Sequence, residues 1–483
     1  MSLFAKKPIS VLLAQANEDN ESSLRRGLGP VTLTALGIGA IVGAGIFVVT
    51  GQAAAQHAGP AIALSFLVAG VVCALAALCY AELASMIPVS GSAYTYAYAT
   101  MGQVFAWIIA WDLMAEYLFA AAAVSVGWSG YFVGLLESMG IHIPTILTQA
   151  PYIAEGHALV ATGALINLPA VCIITIVALV LLLGVGQSGA LNTAIVVLKV
   201  SVVVLVIICG LLYANPDNWT PFIPPIETDA ATQVTRYGLP GVFAAASIIF
   251  FAYLGFDTVS TAAQEARDAQ RTVPMAILGS LAICTVLYIA MCFAITGMAP
   301  YRILNVPAPI YTAVDNVGPQ LAWLKPVVTI TATVGLASTL FALLYGQSRI
   351  FYVMARDGLL PPVFARVHPK NRTPWAGTII TALVAGTFGG LFPIGILAEM
   401  VSIGTLLAFA MICGAVIYLR VTQPDTPRAF KTPLWRVTAP LGILSCLYLI
   451  YELPQATFVR LLVWMALGLL VYFAYARRRA ASF

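Results

Sequence analysis

The chain has 483 residues, of which 61% are hydrophobic and only 9% are charged. A soluble protein of this size carries roughly 25% charged residues, so this composition excludes an ordinary water-soluble enzyme or binding domain. The formal net charge of +4 gives no reason to expect a nucleic-acid partner.

Apolar segments recur along the whole chain and are separated by short polar stretches. A helix needs about 20 mainly apolar residues to cross the hydrocarbon core of a bilayer. The sequence therefore predicts an all-α polytopic membrane protein with about twelve transmembrane helices and no separate extramembrane domain. The predicted spans are 31–55, 61–87, 102–134, 165–185, 190–214, 238–264, 272–297, 324–355, 375–391, 396–419, 434–451 and 457–476.

The two ends of the chain are polar. Residues 1–29 are charged and lack the pattern of a cleaved signal peptide, so we expect a surface helix or a disordered tail there. With the amino terminus inside and twelve crossings, 18 of the 23 lysines and arginines fall on the inner side. Because cytoplasmic loops accumulate Lys and Arg, both termini are predicted to be cytoplasmic, the carboxy terminus as a basic tail over 477–483. We expect anionic lipid headgroups to contact a set of these cations at the cytoplasmic face, although the positive-inside bias explains their positions equally well; they are Arg366, Lys370, Arg372, Arg477, Arg478 and Arg479.

Cysteines and histidines give no sign of a metal or cofactor site. All eight cysteines fall inside predicted spans without paired spacing, and they are interpreted as small buried apolar residues; they are Cys73, Cys79, Cys172, Cys209, Cys284, Cys292, Cys413 and Cys446. The histidines are assigned to loops; they are His57, His142, His157 and His368. We therefore expect neither disulfides, nor a bound metal, nor a cofactor.

The first predicted span contains a glycine-rich interruption. It reads GIGAIVGAGIF, with Gly37, Gly39, Gly43 and Gly45 close together. A glycine costs about 1 kcal/mol in a helix interior, so an unwound stretch is predicted around Gly43-Ala44-Gly45. The alternative is a face of small residues for tight helix packing, because Gly39 and Gly43 form a GxxxG pair.

The sixth predicted span contains a second interruption. It reads IIFFAYLGFDTVS, in which Asp257 closely follows Gly255 inside an apolar segment. Paired interruptions in two halves of a chain indicate a transporter built from inverted repeats, with its site near the midplane. The predicted organisation is one five-helix repeat over 30–214, a second over 238–419, and two additional helices over 434–476.

Two helix breaks suit the binding of a zwitterion. The helix that resumes after Gly43-Ala44-Gly45 presents backbone N–H groups at its positive end, which attract a carboxylate. The helix that stops near Phe251 and Ala252 presents carbonyls, which accept hydrogen bonds from an ammonium group. A neutral α-amino acid is thereby matched without a fixed charge on the protein.

Ionisable residues inside the spans need an explanation, since a charge at mid-bilayer costs about 2.5–3.5 kcal/mol. Lys199 lies deep in the fifth span, where it either extends to the interface or exchanges a proton during transport. Asp112 and Glu116 are spaced i, i+4 on the third helix and are either structural carboxyls or part of proton coupling. Asp257 is expected to cap or stabilise the broken helix, and Glu82 to lie at the membrane interface.

Four stretches together resemble the amino acid–polyamine–organocation superfamily, and within it the bacterial branch of the cationic amino acid transporter family. They are GIGAIVGAGIF, PVSGSAYTYAYATMG, FFAYLGFDTVSTAAQEARDAQRTVP and YGQSRIFYVMARDGLLP, and the resemblance covers essentially the whole chain in order. The resemblance implies a leucine-transporter-type fold, with a five-plus-five inverted repeat and broken first and sixth helices. It also implies proton-coupled uptake or exchange of amino acids at the inner (plasma) membrane of a bacterium.

The resemblance further implies roles for individual residues. Lys199 corresponds to a lysine that occupies the place of a sodium ion in proton-coupled relatives, and Glu116 to an acid proposed to take part in coupling. Phe251 would also act as an aromatic gate. The residues expected to contact the substrate carboxylate and backbone are Ile41, Gly43, Ala44 and Gly45, and those expected to offer carbonyls to its amine are Phe251, Ala252 and Leu254.

Two features of the sequence bear on which substrate side chain the site prefers. Ala44 stands where relatives often have Ser or Thr, so a hydroxyl contact to the carboxylate is missing. The eighth-helix stretch VGLASTLFALL offers Leu336 and no acid, which favours small neutral amino acids such as alanine. The alternatives are an amino acid or amine exchanger, and a transporter of cationic amino acids such as arginine, lysine or ornithine.

A channel and a membrane enzyme are the more distant alternatives. The sequence contains no repeated filter motif or ring of acids of the kind that selects ions. An enzyme would need a nucleophile with its base, or metal ligands, and the spans provide neither. We therefore predict a transporter that is not an enzyme, with an amino acid as substrate and the proton as coupling ion.

Overall fold

The computed structural model describes residues 6, 29–87, 92–155, 158–184, 189–228, 235–261, 266, 268–368, 371 and 373–477. The predictions for the amino-terminal segment therefore lie almost wholly outside the described residues, as do those for Lys370, Arg372 and the tail beyond residue 477. The described part is mostly helical.

Helices follow one another along the first half of the chain. The helix is interrupted at residues 42 and 43, between α1 and the π-helical turn Gly45–Val49. This turn leads into α2, and a second π-helical turn, Ala54–Ala58, follows α2. The helices are α1 Pro30–Ile41, α2 Thr50–Ala53, α3 Ile62–Met86, α4 Ser92–Thr100, α5 Gln103–Ser138, α6 Leu168–Leu182 and α7 Gly189–Leu212.

The second half has a similar succession of elements. A 3-10 turn, Phe250–Tyr253, follows α8 directly, and a π-helical turn, Tyr472–Ala476, ends the last helix. The helices are α8 Gly238–Ile249, α9 Thr258–Thr261, α10 Ala269–Met298, α11 Pro309–Val317, α12 Leu324–Arg356, α13 Trp375–Leu391, α14 Ile394–Thr422, α15 Trp435–Tyr451 and α16 Gln455–Val471.

The helices have the length and composition of membrane spans. Among the described residues, seven helical stretches are long and apolar enough to cross a bilayer, and five shorter apolar helices accompany them. Each predicted span coincides with helical segments to within a few residues. The prediction of a polytopic helical membrane protein is confirmed.

Two short antiparallel hairpins depart from the all-α prediction. Strand β1 (Tyr152–Glu155) pairs with β2 (Ala158–Ala161), and β3 (Glu227–Thr228) pairs with β4 (Thr235–Arg236). Both hairpins lie in connections between helices, where the backbone must satisfy its hydrogen bonds outside a helix.

The packing partners of the two halves correspond to each other. Helix α3 packs on α10, α5 on α12 and α6 on α13. Helix α1 packs on α10 as α8 packs on α3, and α7 packs on both α10 and α12 as α14 packs on both α3 and α5. Exchanging the helices of one half for those of the other leaves this set of contacts unchanged.

Two interpretations drawn from the sequence are wrong. Cys172 is exposed on α6, because the surface of a helix that faces lipid is as apolar as one that faces the core. His57 lies in the helical turn Ala54–Ala58 rather than in a loop. Glu82 is buried within the protein, where Arg420 and Arg428 approach its carboxylate to 2.8 and 3.0 Å; its position at the depth of the membrane interface stays a prediction.

Candidate functional site

The first helix breaks where the glycines predict it. Val42 has an extended conformation at the carboxyl end of α1, and its N–H group still donates to Ile38 O over 2.8 Å. The helix resumes at Ala44, and Phe47 N donates to Gly43 O over 3.3 Å. The unwound stretch is therefore confirmed, at residues 42 and 43. The alternative of a continuous GxxxG face is wrong at Gly43, which lies in the break.

The second break, in the sixth span, follows the aromatic residues Phe250, Phe251 and Tyr253. After the 3-10 turn Phe250–Tyr253, Leu254 is extended and Gly255 has a φ of 116°. This conformation favours glycine, because a side chain at positive φ is strained. A Cβ on Gly255 would also lie 2.8 Å from the carbonyl carbon of Ala40. Gly255 thus permits both the turn and the close approach of α1.

The two breaks touch each other. A Cβ built on Gly45 would lie 2.4 Å from the Cβ of Ala252, well inside the roughly 3.5–4.0 Å of an ordinary carbon–carbon contact. Gly45 and Ala252 are both almost fully buried. Segments about 210 residues apart in the sequence therefore form one site, as the paired interruptions predict.

Lys199 projects from α7 into the first break. Its Nζ donates to Gly39 O over 2.8 Å, to Val42 O over 2.9 Å and to Thr339 Oγ1 over 3.3 Å. The ammonium group lies at the carboxyl end of α1, where the helix dipole favours a positive charge. Lys199 is 1% exposed, so the alternative that it extends to the membrane interface is wrong.

Two neighbours make room for Lys199 and hold it. Gly335 on α12 packs against its side chain, since a Cβ there would lie 2.6 Å from Lys199 Cδ. Thr339, one turn further along α12, contacts both Lys199 and the break at Gly43. Lys199 therefore joins α7, the broken first helix and α12.

Tyr288 on α10 bridges the two breaks and was missed in the sequence. Its hydroxyl lies 2.8 Å from Ile41 O and 2.7 Å from Ala252 O, and the residue is fully buried. Ile41 and Ala252 belong to the residues predicted to contact the substrate. A single tyrosine among the 20 of this chain carries no local signal for such a role.

Ser402 on α14 was also missed. Its hydroxyl donates to Ile248 O over 2.9 Å and accepts from Phe251 N over 3.0 Å. Both partners lie where α8 changes to a 3-10 turn. No pattern within the sequence around Ser402 indicates this contact.

The predicted substrate residues lie together at the breaks, with one exception. Ile41, Gly43, Ala44 and Gly45 line the first break, and Phe251, Ala252 and Leu254 the second. Phe251 O accepts a hydrogen bond from Leu254 N within the turn. Leu336 is buried on α12, but its neighbours Gly335 and Thr339 make the contacts to Lys199 and Gly43. Binding of a substrate by these residues stays a prediction.

The intramembrane acids lie beside the second break. Asp112 and Glu116 are both buried on α5, and Glu116 interacts electrostatically with Asp257 and Asp112. Thr405 on α14 lies within hydrogen-bonding reach of Glu116. Gly404 provides space for Asp112, because a Cβ there would lie 2.8 Å from Asp112 Oδ1. The structure thus brings Glu116 close to Asp257, which follows the break in the sixth span.

Comparison with known proteins gives a consistent result. Residues 28–470 match a family model described as amino acid permease. The chain is 44% identical over 479 residues to the methylthioribose transporter of Bacillus subtilis, covering 99% of both chains. It is 44% identical over 480 residues to the branched-chain amino acid permease BcaP of the same organism, covering 99% of this chain and 98% of the relative. It is also 34% identical over 407 residues to the vacuolar cationic amino acid transporter 4 of Arabidopsis thaliana, covering 84% of this chain and 65% of the relative.

Proposed function

We propose that this chain, which belongs to the amino acid permease family, takes up small neutral L-amino acids driven by a proton gradient. The two helix breaks would bind the substrate, and transport would proceed by alternating access. Alanine is the substrate predicted from the sequence.

The contacts of Lys199 carry the proposal of proton coupling. A primary ammonium group bonded to Gly39 O, Val42 O and Thr339 Oγ1 occupies a position at which unwound carbonyls and helix ends hold coupling ions in such transporters. When Lys199 loses its proton, it loses its charge and one donor. The link between the first helix and α12 would then weaken, which provides a route from proton release to helix movement.

The matching contacts of the two halves support alternating access. Residues 30–214 and 238–419 would form the two inverted repeats, with α15 and α16 as additional helices. In transporters of this architecture, one group of helices rocks against the other around a site at the midplane. The meeting of the breaks at Gly45 and Ala252 supports a site at that interface.

The residues around the π-helical turn Gly45–Val49 favour a substrate with a neutral side chain. Gly127 on α5 lies close to Val48, and Ala44 and Ile394 are the next neighbours. This part of α5 also contains four consecutive buried alanines, residues 120–123. Two relatives from Bacillus subtilis carry the names of a branched-chain amino acid permease and a methylthioribose transporter, so larger aliphatic side chains and a thiosugar belong among the candidates.

The distribution of basic residues supports an orientation in the membrane. Arg349, Arg356 and Arg420 lie in the last two turns of α12 and α14, and Arg428 follows α14. This end of the molecule would face the cytoplasm, in line with the positive-inside rule. Both termini would then be cytoplasmic in a bacterial plasma membrane.

The substrate is tested by thermal stabilisation of purified protein with the twenty amino acids, common polyamines and methylthioribose. A rise in the midpoint with alanine or with branched-chain amino acids supports the proposal. If only arginine, lysine, ornithine or polyamines stabilise the protein, the result favours the second candidate function, transport of a cationic substrate whose side chain contacts Glu116. The burial of Glu116 beside the broken helix is the observation that favours that candidate.

Proton coupling is tested in proteoliposomes with the best substrate. We expect Lys199→Ala to lose accumulation driven by an inward proton gradient while it retains some substrate binding. Lys325→Ala is the matched control, because Lys325 lies on α12 and pairs with Asp315 far along the chain from the breaks. Unchanged gradient-driven accumulation by Lys199→Ala would contradict the proposal. If the wild-type protein exchanges amino acids but never accumulates them, it is an exchanger.

A further inference from the structure

The hydroxyl of Ser402 bonds to the backbone where α8 ends and the turn Phe250–Tyr253 begins. It comes from α14, donates to Ile248 O and accepts from Phe251 N. Ile248 and Phe251 are three residues apart, so the hydroxyl stands between the two groups that would bond to each other directly in a tighter 3-10 turn. Ser402 is fully buried, which leaves bulk water unable to take its place.

We propose that Ser402 is a positioning residue for the substrate amine: its hydroxyl keeps this turn open and thereby sets the direction of the carbonyls of Phe251 and Ala252. The inference rests on the proposed binding of amino acids at the breaks. Without the hydroxyl, Ile248 O and Phe251 N would either lose a buried partner or bond to each other. In both cases the turn that carries Phe251 and Ala252 changes its geometry.

The residues of α14 that follow Ser402 contact the acids on α5. Thr405, one turn after Ser402, lies beside Glu116, and Gly404 packs against Asp112. Ser402 and Thr405 are spaced i, i+3 and therefore lie on neighbouring positions of one helix face. A small rotation or shift of α14 would act on the amine side of the site and on Glu116 together. This segment thus connects the predicted coupling acid to the geometry that receives the amine.

The test uses three variants and a matched control. Ser402→Ala removes the hydroxyl, and Ser402→Thr retains it. Ser247→Ala is the control, because Ser247 lies on α8, is fully buried and donates to Ala244 O of its own helix. Ser402→Cys provides a weak donor of similar size in case the alanine variant does not fold.

Kinetics separate positioning from a general loss of structure. We expect Ser402→Ala to raise the KM for amino acid uptake at least tenfold with the maximal rate within about threefold of wild type, Ser402→Thr to restore the KM, and Ser247→Ala to leave it unchanged. If Ser402→Ala is not recovered, Ser402→Cys should show a raised KM and Ser402→Thr a normal one. An unchanged KM in the alanine variant, or in the cysteine variant when it stands in for it, overturns the proposal.

A second measurement does not depend on the identity of the substrate. Hydrogen–deuterium exchange of the peptide 246–256 is followed in the substrate-free protein, and Ser402→Ala is expected to exchange at a clearly different rate from wild type and from Ser247→Ala. A changed exchange rate with an unchanged KM overturns the positioning role while leaving the proposed function intact. If the wild type binds no amino acid at all, the proposed function fails, and the exchange rate alone then shows whether Ser402 controls the turn.

Discussion

The contact between the two breaks can be tested with one added methyl group. In Gly45→Ala, the new Cβ would lie 2.4 Å from the Cβ and 2.5 Å from the Cα of Ala252. Ordinary carbon–carbon contacts need roughly 3.5 Å, so one of the two broken segments must move by about 1 Å. The nearest atoms belong to backbone and to a Cβ, which cannot rotate away. We expect a stability loss of about 1–3 kcal/mol, as in other overpacked cores.

The displacement should affect the site more than the fold. Moving Ala252 by this distance disturbs a carbonyl predicted to receive the substrate amine, so we expect the affinity for the best amino acid to fall by about tenfold or more, which corresponds to about 1.4 kcal/mol. The assay is ligand-induced thermal stabilisation, combined with uptake into proteoliposomes. Both are measured only on monodisperse protein, so that loss of fold is not mistaken for loss of binding.

A second glycine gives the matched control. Gly414 lies in the interior of α14, and a Cβ there would meet nothing within 4 Å. Gly414→Ala should therefore leave substrate affinity unchanged and stabilise the helix by roughly 0.5–1 kcal/mol. Wild-type binding and uptake by Gly45→Ala would refute the reasoning, because the two broken helices could not then touch as described.

Two further predictions concern buried polar contacts. Tyr288→Phe should weaken substrate affinity and cost about 1–3 kcal/mol of stability, because it removes the one hydroxyl proton that is within reach of both Ile41 O and Ala252 O. Tyr237→Phe, which removes a bond to Ala55 O, should reduce stability alone. Equal affinity changes in the two variants would contradict the assignment. Glu82→Gln should cost about 3–5 kcal/mol, because it leaves two guanidinium groups without a counter-charge in a buried site, whereas Glu227→Gln breaks an exposed pair with Arg302 and should cost less than about 1 kcal/mol. Thermal midpoints converted to free energies decide this comparison, and similar shifts for the two glutamates would count against the buried ion cluster.

Much of the fold could be predicted from hydropathy alone. A helix satisfies its own backbone hydrogen bonds, so in a bilayer nearly every long apolar segment must be helical. For this reason the predicted spans coincide with the helices to within a few residues. The breaks were also visible, because clustered glycines in the first span and Gly255-Phe256-Asp257 in the sixth are unfavourable inside an apolar helix.

The same logic identified Lys199 and Glu116 but not their partners. A charge inside an apolar span is costly enough to be noticed in the sequence. Hydropathy does not tell which carbonyls the charge meets, and it distinguishes poorly between lipid-facing and buried surfaces. Cys172 was therefore interpreted as buried although it is exposed, and the two arginines that bury the carboxylate of Glu82 were not predicted.

The sequence by itself thus determined where helices form, where they break and which charges lie among them, since each of these carries a local energetic cost. Only the tertiary structure decided that the breaks meet at Gly45 and Ala252, that Tyr288 joins them and that Ser402 holds the second one open. Serine and tyrosine hydroxyls are tolerated almost anywhere in a helix. Their roles depend on which backbone groups of other segments come within reach, here 36 to 247 residues away in the chain.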